Sequence, residues 1–306
     1  MGKTAHHVFH AMGIPVHITL VGLSERDAKR YAEEAERIFR AYDERFSRFK
    51  ETSELHKLNT GNGEWRPVSL PLFQVLQKCV SLAKETDGAF DPSVGGILAS
   101  YGYGLPKNSL PTDTRTYRNI EFNERELSVR LASGQILEPA SVVKGMAIDK
   151  AGEALSGVPG FLINAGGDIL THGAYENGTA WNIAVQDPRS IDAVVSAVAI
   201  RDKGMATSGT YQTKGIHNGK EWHHLIDMRT GNPADGFTSA TIIAPTCEEA
   251  DTEASLAILL APAEAIARLE SRRLPYYLIS KDGIATKNAE FSALEIPIST
   301  TKLASC

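Results

Sequence analysis

Apolar and polar positions alternate from Val8 to Val21, which predicts extended chain with a break at Met12-Gly13. The period then changes. Ala28, Tyr31, Ala32, Ala35, Ile38, Phe39 and Tyr42 recur at helical spacing after Ser24, with charges on the opposite face. Ser53, Leu55 and Leu58 suggest a short second helix, and Phe46 and Phe49 stand before it. Gly61-Asn62-Gly63 is a turn, and a helix follows from Pro71 to Thr86 with Phe73, Leu76, Cys79, Val80 and Ala83 turned inward. Turn formers crowd Gly88 to Gly96, and Tyr101-Gly102-Tyr103-Gly104 repeats the theme. Asn119 to Leu137 alternates like a hairpin that turns at Ala132-Ser133-Gly134.

The stretch from Glu138 to Leu170 holds the densest signals. Ser141 is placed to cap a helix beginning at Val142, whose apolar face comprises Val143, Met146, Ala147, Lys150, Ala151 and Leu155. Gly157, Pro159 and Gly160 stop that helix. Phe161-Leu162-Ile163 has the continuous apolar character of a strand buried on both faces. Asn164-Ala165-Gly166-Gly167-Asp168 follows at once and, taken alone, is a tight turn between two strands.

Beyond it, Trp181 to Val185 and Val194 to Ile200 pair as strands, and Met205 to Tyr211 is small and hydroxyl-rich. His223 to Asp227 predicts a strand ending in the turn Met228 to Gly231, and Thr238 to Ala244 is a β-branched strand. Helices are expected from Cys247 to Leu260 and from Pro262 to Ser271, before a final strand from Tyr276 to Ser280. There is no internal repeat and no low-complexity linker. Strands and helices intersperse without strict βαβ alternation, so the fold class expected is α+β, with mixed or antiparallel sheets and packed helices.

Composition narrows the function classes. A chain of 306 residues, 42% hydrophobic, can bury the core of one large domain or two small ones. A net charge of -5 without a basic stripe argues against nucleic acid. Cys79, Cys247 and Cys306 are odd in number and lack CxxC spacing, against a disulfide framework or a zinc site. The first twenty residues lack a signal-peptide pattern, and no window reaches the roughly 18 apolar residues of a membrane span. A cytoplasmic protein is expected, or a periplasmic or membrane-anchored one whose leader has been removed.

Two places could carry chemistry. Asp251 and Ser255 stand four apart near the start of a helix, so both oxygens share a face that suits a hard cation such as Mg2+. Acidic enrichment at a helix N-terminus accounts equally for Glu248, Glu249, Asp251 and Glu253. His223 and His224 adjoin Asp227, and strand alternation would send them to opposite faces. HxxH metal spacing is absent at His223 and His224, and GxSxG, the Walker lysine motif and GxGxxG are missing.

Eight blocks together resemble the FAD:protein FMN transferase (ApbE) family. They are MG at Met12, FSRFKETSELHKLN, GAFDPSVGG, VVKGMAID, INAGGDI, ATSGTYQ, HHLIDMRTG and ADTEASLAILL, in the family's order from Met12 to Leu260. The resemblance implies a single T-fold-related domain over residues 1–306. It implies a Mg2+-dependent enzyme that takes FAD as substrate and moves FMN onto a Thr or Ser hydroxyl of an acceptor flavoprotein, releasing AMP. By position, Met12, Phe49, Ala89, Phe90, Asp91, Glu138, Lys144, Asp168 and Leu225 fall where the family contacts FAD. Ser141, Asp251 and Ser255 fall where it holds the metal, and His224 beside the reacting phosphate. His224 or Asp251 would take the acceptor proton, with His224 favoured because imidazole titrates near neutral pH.

The chain departs from the family pattern at Glu138, usually Asp; at Pro139, usually Leu; at Ser255, usually Thr; and at Met228, usually Pro. FAD hydrolysis to FMN and AMP, and flavin binding without turnover, are the alternatives to transfer.

Overall fold

The alternation at the N-terminus builds the edge of a large sheet. In the computed structural model, which describes residues 3–103, 115–217 and 219–298, strands β1 (Lys3–Ala11) and β2 (Ile14–Leu23) form a hairpin. Met12 and Gly13 make its turn, both with positive φ (54° and 76°), the backbone of a type I′ turn. Glycine adopts that conformation freely; for Met12 it is strained.

Six more strands extend the sheet: β3 (Gly160–Ala165), β4 (Asp168–Gly173), β5 (Lys203–Gly209), β6 (Phe237–Ala244), β7 (Tyr276–Ser280) and β8 (Ala285–Lys287). Their order across the sheet is their order in the chain, and every neighbouring pair is antiparallel. β8 shows that Tyr276–Ser280 is not the last strand.

Side-chain alternation gives this sheet two covered faces. Leu162, Ile169, Met205, Ile243, Tyr277 and Ile279 point to one of them. There they pack with Trp181, Ile183, Val185, Val198 and Ile200 of the hairpin Trp181–Asp187/Ser190–Ile200 and with Phe291. The intervening residues, including Phe161, Asp168, Leu170, Gly204 and Ser208, point to the helical face. That face explains why β3 is buried along its whole length.

The helices are α1 (Glu25–Phe46), α2 (Glu54–Asn59), α3 (Leu70–Glu85), α4 (Gly95–Ser100), α5 (Ala140–Ala154), α6 (Cys247–Leu259), α7 (Pro262–Ser271) and α8 (Ala289–Ser292). None of them is long and apolar enough to cross a membrane. Among the described residues Cys79 and Cys247 are free and buried. Gly104 and Cys306 lie outside the described residues.

The chain divides into two compact units. One comprises Met1–Arg40, Lys144–Gly209 and Gly236–Cys306, and the other Ala41–Val143 and Thr210–Asp235. The first holds the large sheet. The second holds α2, α3, α4, a three-stranded sheet of Trp65–Pro67, Ser128–Arg130 and Glu121–Asn123, and the hairpin Lys214–His217/Lys220–His223.

Four local expectations need correction. The hairpin after Asn119 turns at residues 124–127 rather than at Ala132-Ser133-Gly134, because Asn123 Oδ1 accepts from the Glu126 N–H and closes the turn early. α5 begins at Ala140, where Pro139 O accepts from the N–H groups of Val142 and Val143; Ser141 therefore lies inside the first turn and does not cap it. Lys150 stands on the surface paired with Glu153, while Val142 and Ile148 are buried. The strand into His223 ends there, and His224 occupies a bend before the short pairing of Ile226–Asp227 with Asn232–Pro233.

Phe39 is fully buried and meets the Phe9 ring edge-on at 5.6 Å, fixing α1 to β1. Phe39→Ala is expected to lower stability by about 3–5 kcal/mol. An unchanged urea midpoint would show that α1 does not depend on this contact.

Candidate active site

The alternation that buries Ile169 turns its neighbour Asp168 toward the helices. Asp168 opens β4 immediately after the glycine pair, opposite Ala165. The pair is a genuine turn: Gly166 and Gly167 have φ of 63° and 100°, and the Gly167 N–H donates to Asn164 Oδ1 at 2.9 Å. Turn and site coincide. The turn delivers a carboxylate that is only 1% exposed to the helical face of the sheet.

Lys144 of α5 meets that carboxylate. Its Nζ lies 2.7 Å from Asp168 Oδ2 and 3.8 Å from Oδ1 of Asp251 in α6. Oδ2 of Asp168 is buried, and the Lys144 ammonium is the charged donor that meets it. Asp251 is also buried, and its Oδ2 accepts from the Gly145 N–H at 3.2 Å. Along α6, Ser255 lies one turn beyond Asp251 and is buried, its Oγ 3.1 Å from Ser208 Oγ of β5.

The electrostatics are unbalanced. Burial, reinforced by Asp168, pushes the Asp251 carboxyl well above the usual carboxylate range, against the pull of Lys144. Burial opposes the charge on Lys144, but Asp168 and Asp251 outweigh it and hold the ammonium above the usual lysine range. One cation faces two buried carboxylates. Among the described residues no group of three His, Cys, Asp or Glu side chains is arranged to hold a metal.

The N-terminus of α6 is anchored beside this cluster. Asp149 of α5 accepts from the N–H groups of Cys247 and Glu248, each at 2.8 Å. Burial is the main cause that pushes its carboxyl up to about 6, with Glu248 and Glu153 adding repulsion and the two N–H groups opposing.

In the other unit, Arg48 is buried and ion-paired with Glu138, and its Nη2 donates to Tyr103 O at 3.1 Å. Its guanidinium sits 4.3 Å from the Phe49 ring centroid and 5.0 Å from that of Tyr103. Burial pushes Glu138 up, Arg48 opposing. Phe49 is 54% exposed, so its ring is open to a ligand. Tyr101 stacks on Trp222 at 5.3 Å and 15°.

The remaining predicted residues of this unit are placed as follows. Ala89 and Phe90 are buried, and Ala89 O accepts from the Met228 N–H. Both Asp91 oxygens are engaged by backbone, from Ser93 N–H at 2.8 Å and Tyr117 N–H at 2.7 Å. Leu225 is buried, its carbonyl accepting from Ala234 N–H. His224 is half-buried, with its N–H on Thr213 O at 3.0 Å and Nδ1 3.4 Å from the same oxygen. Its neighbour His223 places Nε2 2.8 Å from Ala234 O, and burial depresses its pKa.

The structure thus brings Lys144, Asp168 and Asp251 into one cluster, with Ser255 one turn along α6 and paired with Ser208, and Phe49 and Glu138 into another. Met12 lies at the β1–β2 turn of the first unit, while Ser141 and His224 belong to the second. Sequence reasoning missed Ser208, Asp149 and Arg48. The hydroxyl-rich run at Met205 signalled the first; an Asp four residues after Gly145 could have signalled the second.

Two expectations follow. Lys144→Met leaves two buried carboxylates uncompensated and is expected to cost about 3 kcal/mol at pH 7, partly recovered in the double variant with Asp168→Asn. Urea denaturation of the four proteins measures the cycle, and a double variant no better than Lys144→Met would overturn the charge argument. For Asp149 the folded value of about 6 lies above the ordinary 3.8. Its contribution is therefore complete below about pH 4 and is lost as pH rises through about 6, by up to about 3 kcal/mol. Wild type should lose stability relative to Asp149→Asn across that window; a pH-independent difference would contradict this.

An ApbE family model matches residues 12–278. The FAD:protein FMN transferase of Haemophilus influenzae is 28% identical over 302 residues, covering 91% of this chain and 87% of that protein. Its namesake from Escherichia coli K12 is 30% identical over 285 residues, covering 85% and 80%. The crystal structure of the ApbE protein from Thermotoga maritima superposes with a TM-score of 0.87 at 26% identity, covering 96% of this chain and 100% of that one. The α+β fold, the order of the eight sequence blocks and these matches agree: the chain belongs to the ApbE family.

Proposed function

We propose that this chain is an FAD:protein FMN transferase, acting as one domain over residues 1–306, that uses Mg2+ to move FMN from FAD onto a Thr or Ser hydroxyl of an acceptor flavoprotein. The observation that carries the reading is the buried cluster of Lys144, Asp168 and Asp251, with two carboxylates against one ammonium. The residues fit a magnesium ion. Two buried carboxylates served by one ammonium, a raised Asp251 and the paired hydroxyls of Ser208 and Ser255 all favour an added cation. A set of three acidic or imidazole ligands is not needed, because Mg2+ keeps waters and shares substrate phosphate oxygens.

Asp251, Ser255 and Ser141 would hold the ion, which when bound neutralises charge on the pyrophosphate. Asp168 keeps Lys144 charged and in place, so that the ammonium adds to this neutralisation. The acceptor oxygen attacks the FMN phosphorus, the bond from phosphorus to the bridging oxygen breaks, and AMP departs with that oxygen. His224 takes the acceptor proton; Asp251, engaged with the metal, is the less suitable base. FAD contacts are assigned to Met12, Phe49, Ala89, Phe90, Asp91, Glu138, Lys144, Asp168 and Leu225. Phe49 offers an exposed ring, whereas the carboxylates of Asp91 and Glu138 are already engaged and shape the chain around the ligand.

Incubation with FAD, Mg2+ and a flavin-acceptor domain, read by intact mass and nucleotide analysis, tests the reading. The acceptor should gain one FMN with release of AMP, and Asp251→Ala should slow this by roughly 10²–10³-fold. Free FMN and AMP without an adduct would make the chain a pyrophosphatase, and FAD binding without either product would make it a carrier.

A further inference from the structure

Asp251 and Ser255 ride on α6, so the placement of that helix decides where their oxygens lie. The first N–H groups of a helix have no partner within it and must be answered from outside. In α6 the third of them, on Glu249, is answered locally by Thr246 Oγ1 at 3.2 Å. The first two, on Cys247 and Glu248, are answered from another helix, each by one oxygen of Asp149 at 2.8 Å.

The surrounding backbone leaves the helix little freedom. A Cβ on Gly145, one turn before Asp149, would stand 2.4 Å from Glu248 Cα. A Cβ on Gly204 of β5 would stand 2.4 Å from the Cys247 nitrogen. The first turn of α6 is thus wedged between α5 and β5 at backbone contact. Within that wedge, the two-oxygen contact from Asp149 fixes both the height and the rotation of α6 relative to α5. One turn further along α6, Asp251 then meets Gly145 N–H and Lys144.

We propose that Asp149 is a positioning residue: its carboxylate registers α6 against α5 and so holds Asp251 and Ser255 in the geometry that receives the divalent cation. The inference rests on the magnesium reading above. A neutral amide cannot reproduce the contact, since Asn offers one acceptor and would point its own N–H at the second donor. Outer contacts of this kind commonly govern metal affinity tenfold to a hundredfold.

Mn2+ binding to the full chain at pH 7.5 without FAD, followed by electron paramagnetic resonance, tests this without reading catalysis. Asp149→Asn is expected to weaken Mn2+ binding by about tenfold or more. Thr246→Ala removes the local cap from the same helix end and is expected to lower the melting temperature while changing Mn2+ affinity less than about twofold. Wild-type affinity in Asp149→Asn, or equal weakening in both variants, overturns the proposal and leaves Asp149 a simple cap. Asp251→Ala separates the two readings. Loss of binding there with none in Asp149→Asn removes only the positioning role, whereas a wild type that does not bind Mn2+ overturns the magnesium reading and this inference with it. Should Asp149→Asn fail to fold, Asp149→Ser, which keeps one acceptor, is read on the same isotherm with the same expectation.

Discussion

The ammonium of Lys144 holds two helices and a strand to one point. It reaches Asp168 at the start of β4 and Asp251 in the second turn of α6, both nearly inaccessible to water. Charges so placed are costly unless paired, and one cation cannot fully offset two carboxylates. The arrangement therefore has an intrinsic demand for positive charge. Burial alone would have favoured apolar side chains here. Burial together with Asp168 raises the Asp251 carboxyl, and the two carboxylates sustain the charge on Lys144.

The fold reaches this geometry with ordinary means. Antiparallel pairing in chain order lets residues far apart in sequence, Asp168 and Ser208, share the helical face. Close approach of these elements needs backbone without side chains, and Gly145, Gly152 and Gly204 supply it where α5 meets α6, where α5 meets β3 and β4, and where β5 meets the start of α6. Glu253, buried on α6, has its own partner in Arg268 of α7 at 2.7 Å, so it adds no unpaired charge near Asp251. Acidic enrichment at the helix start thus resolves into separate roles. Glu248 and Glu249 lie in the first turn, Glu253 ties α6 to α7, and Asp251 faces the site.

Much of the fold was legible because its patterns have one dominant cause. Val8 to Val21 alternates since one face of the β1–β2 hairpin is covered, and Phe161 to Ile163 is uniformly apolar since both faces of β3 are covered. β5 was not legible as a strand. Its Gly204, Ala206 and Ser208 are small where the strand faces α6, and smallness carries no strand signal. The hairpin after Asn119 was misplaced because a side-chain bond from Asn123, rather than the glycine, sets the turn. At the site, Asp251 and Ser255 were visible as a helical pair. Ser208, which pairs with Ser255, and Asp149, which holds the start of α6, were not, because both depend on tertiary contact between elements remote in sequence.

The second buried ion pair clarifies the first. Arg48 and Glu138 balance each other, and the guanidinium is further covered by Phe49 and Tyr103 and bonded to a carbonyl. That pair is complete: equal charges, stacked faces and a satisfied donor leave no reason to recruit an ion. Lys144 with Asp168 and Asp251 lacks the charge balance and the stacked faces. It has unequal charges, and the ammonium that meets Asp168 at 2.7 Å stands 3.8 Å from the second carboxylate, Asp251. Both clusters are buried ion pairs by distance, yet only one is chemically unfinished. It is this charge imbalance, more than burial or proximity, that sets the Lys144 cluster apart from the Arg48 pair.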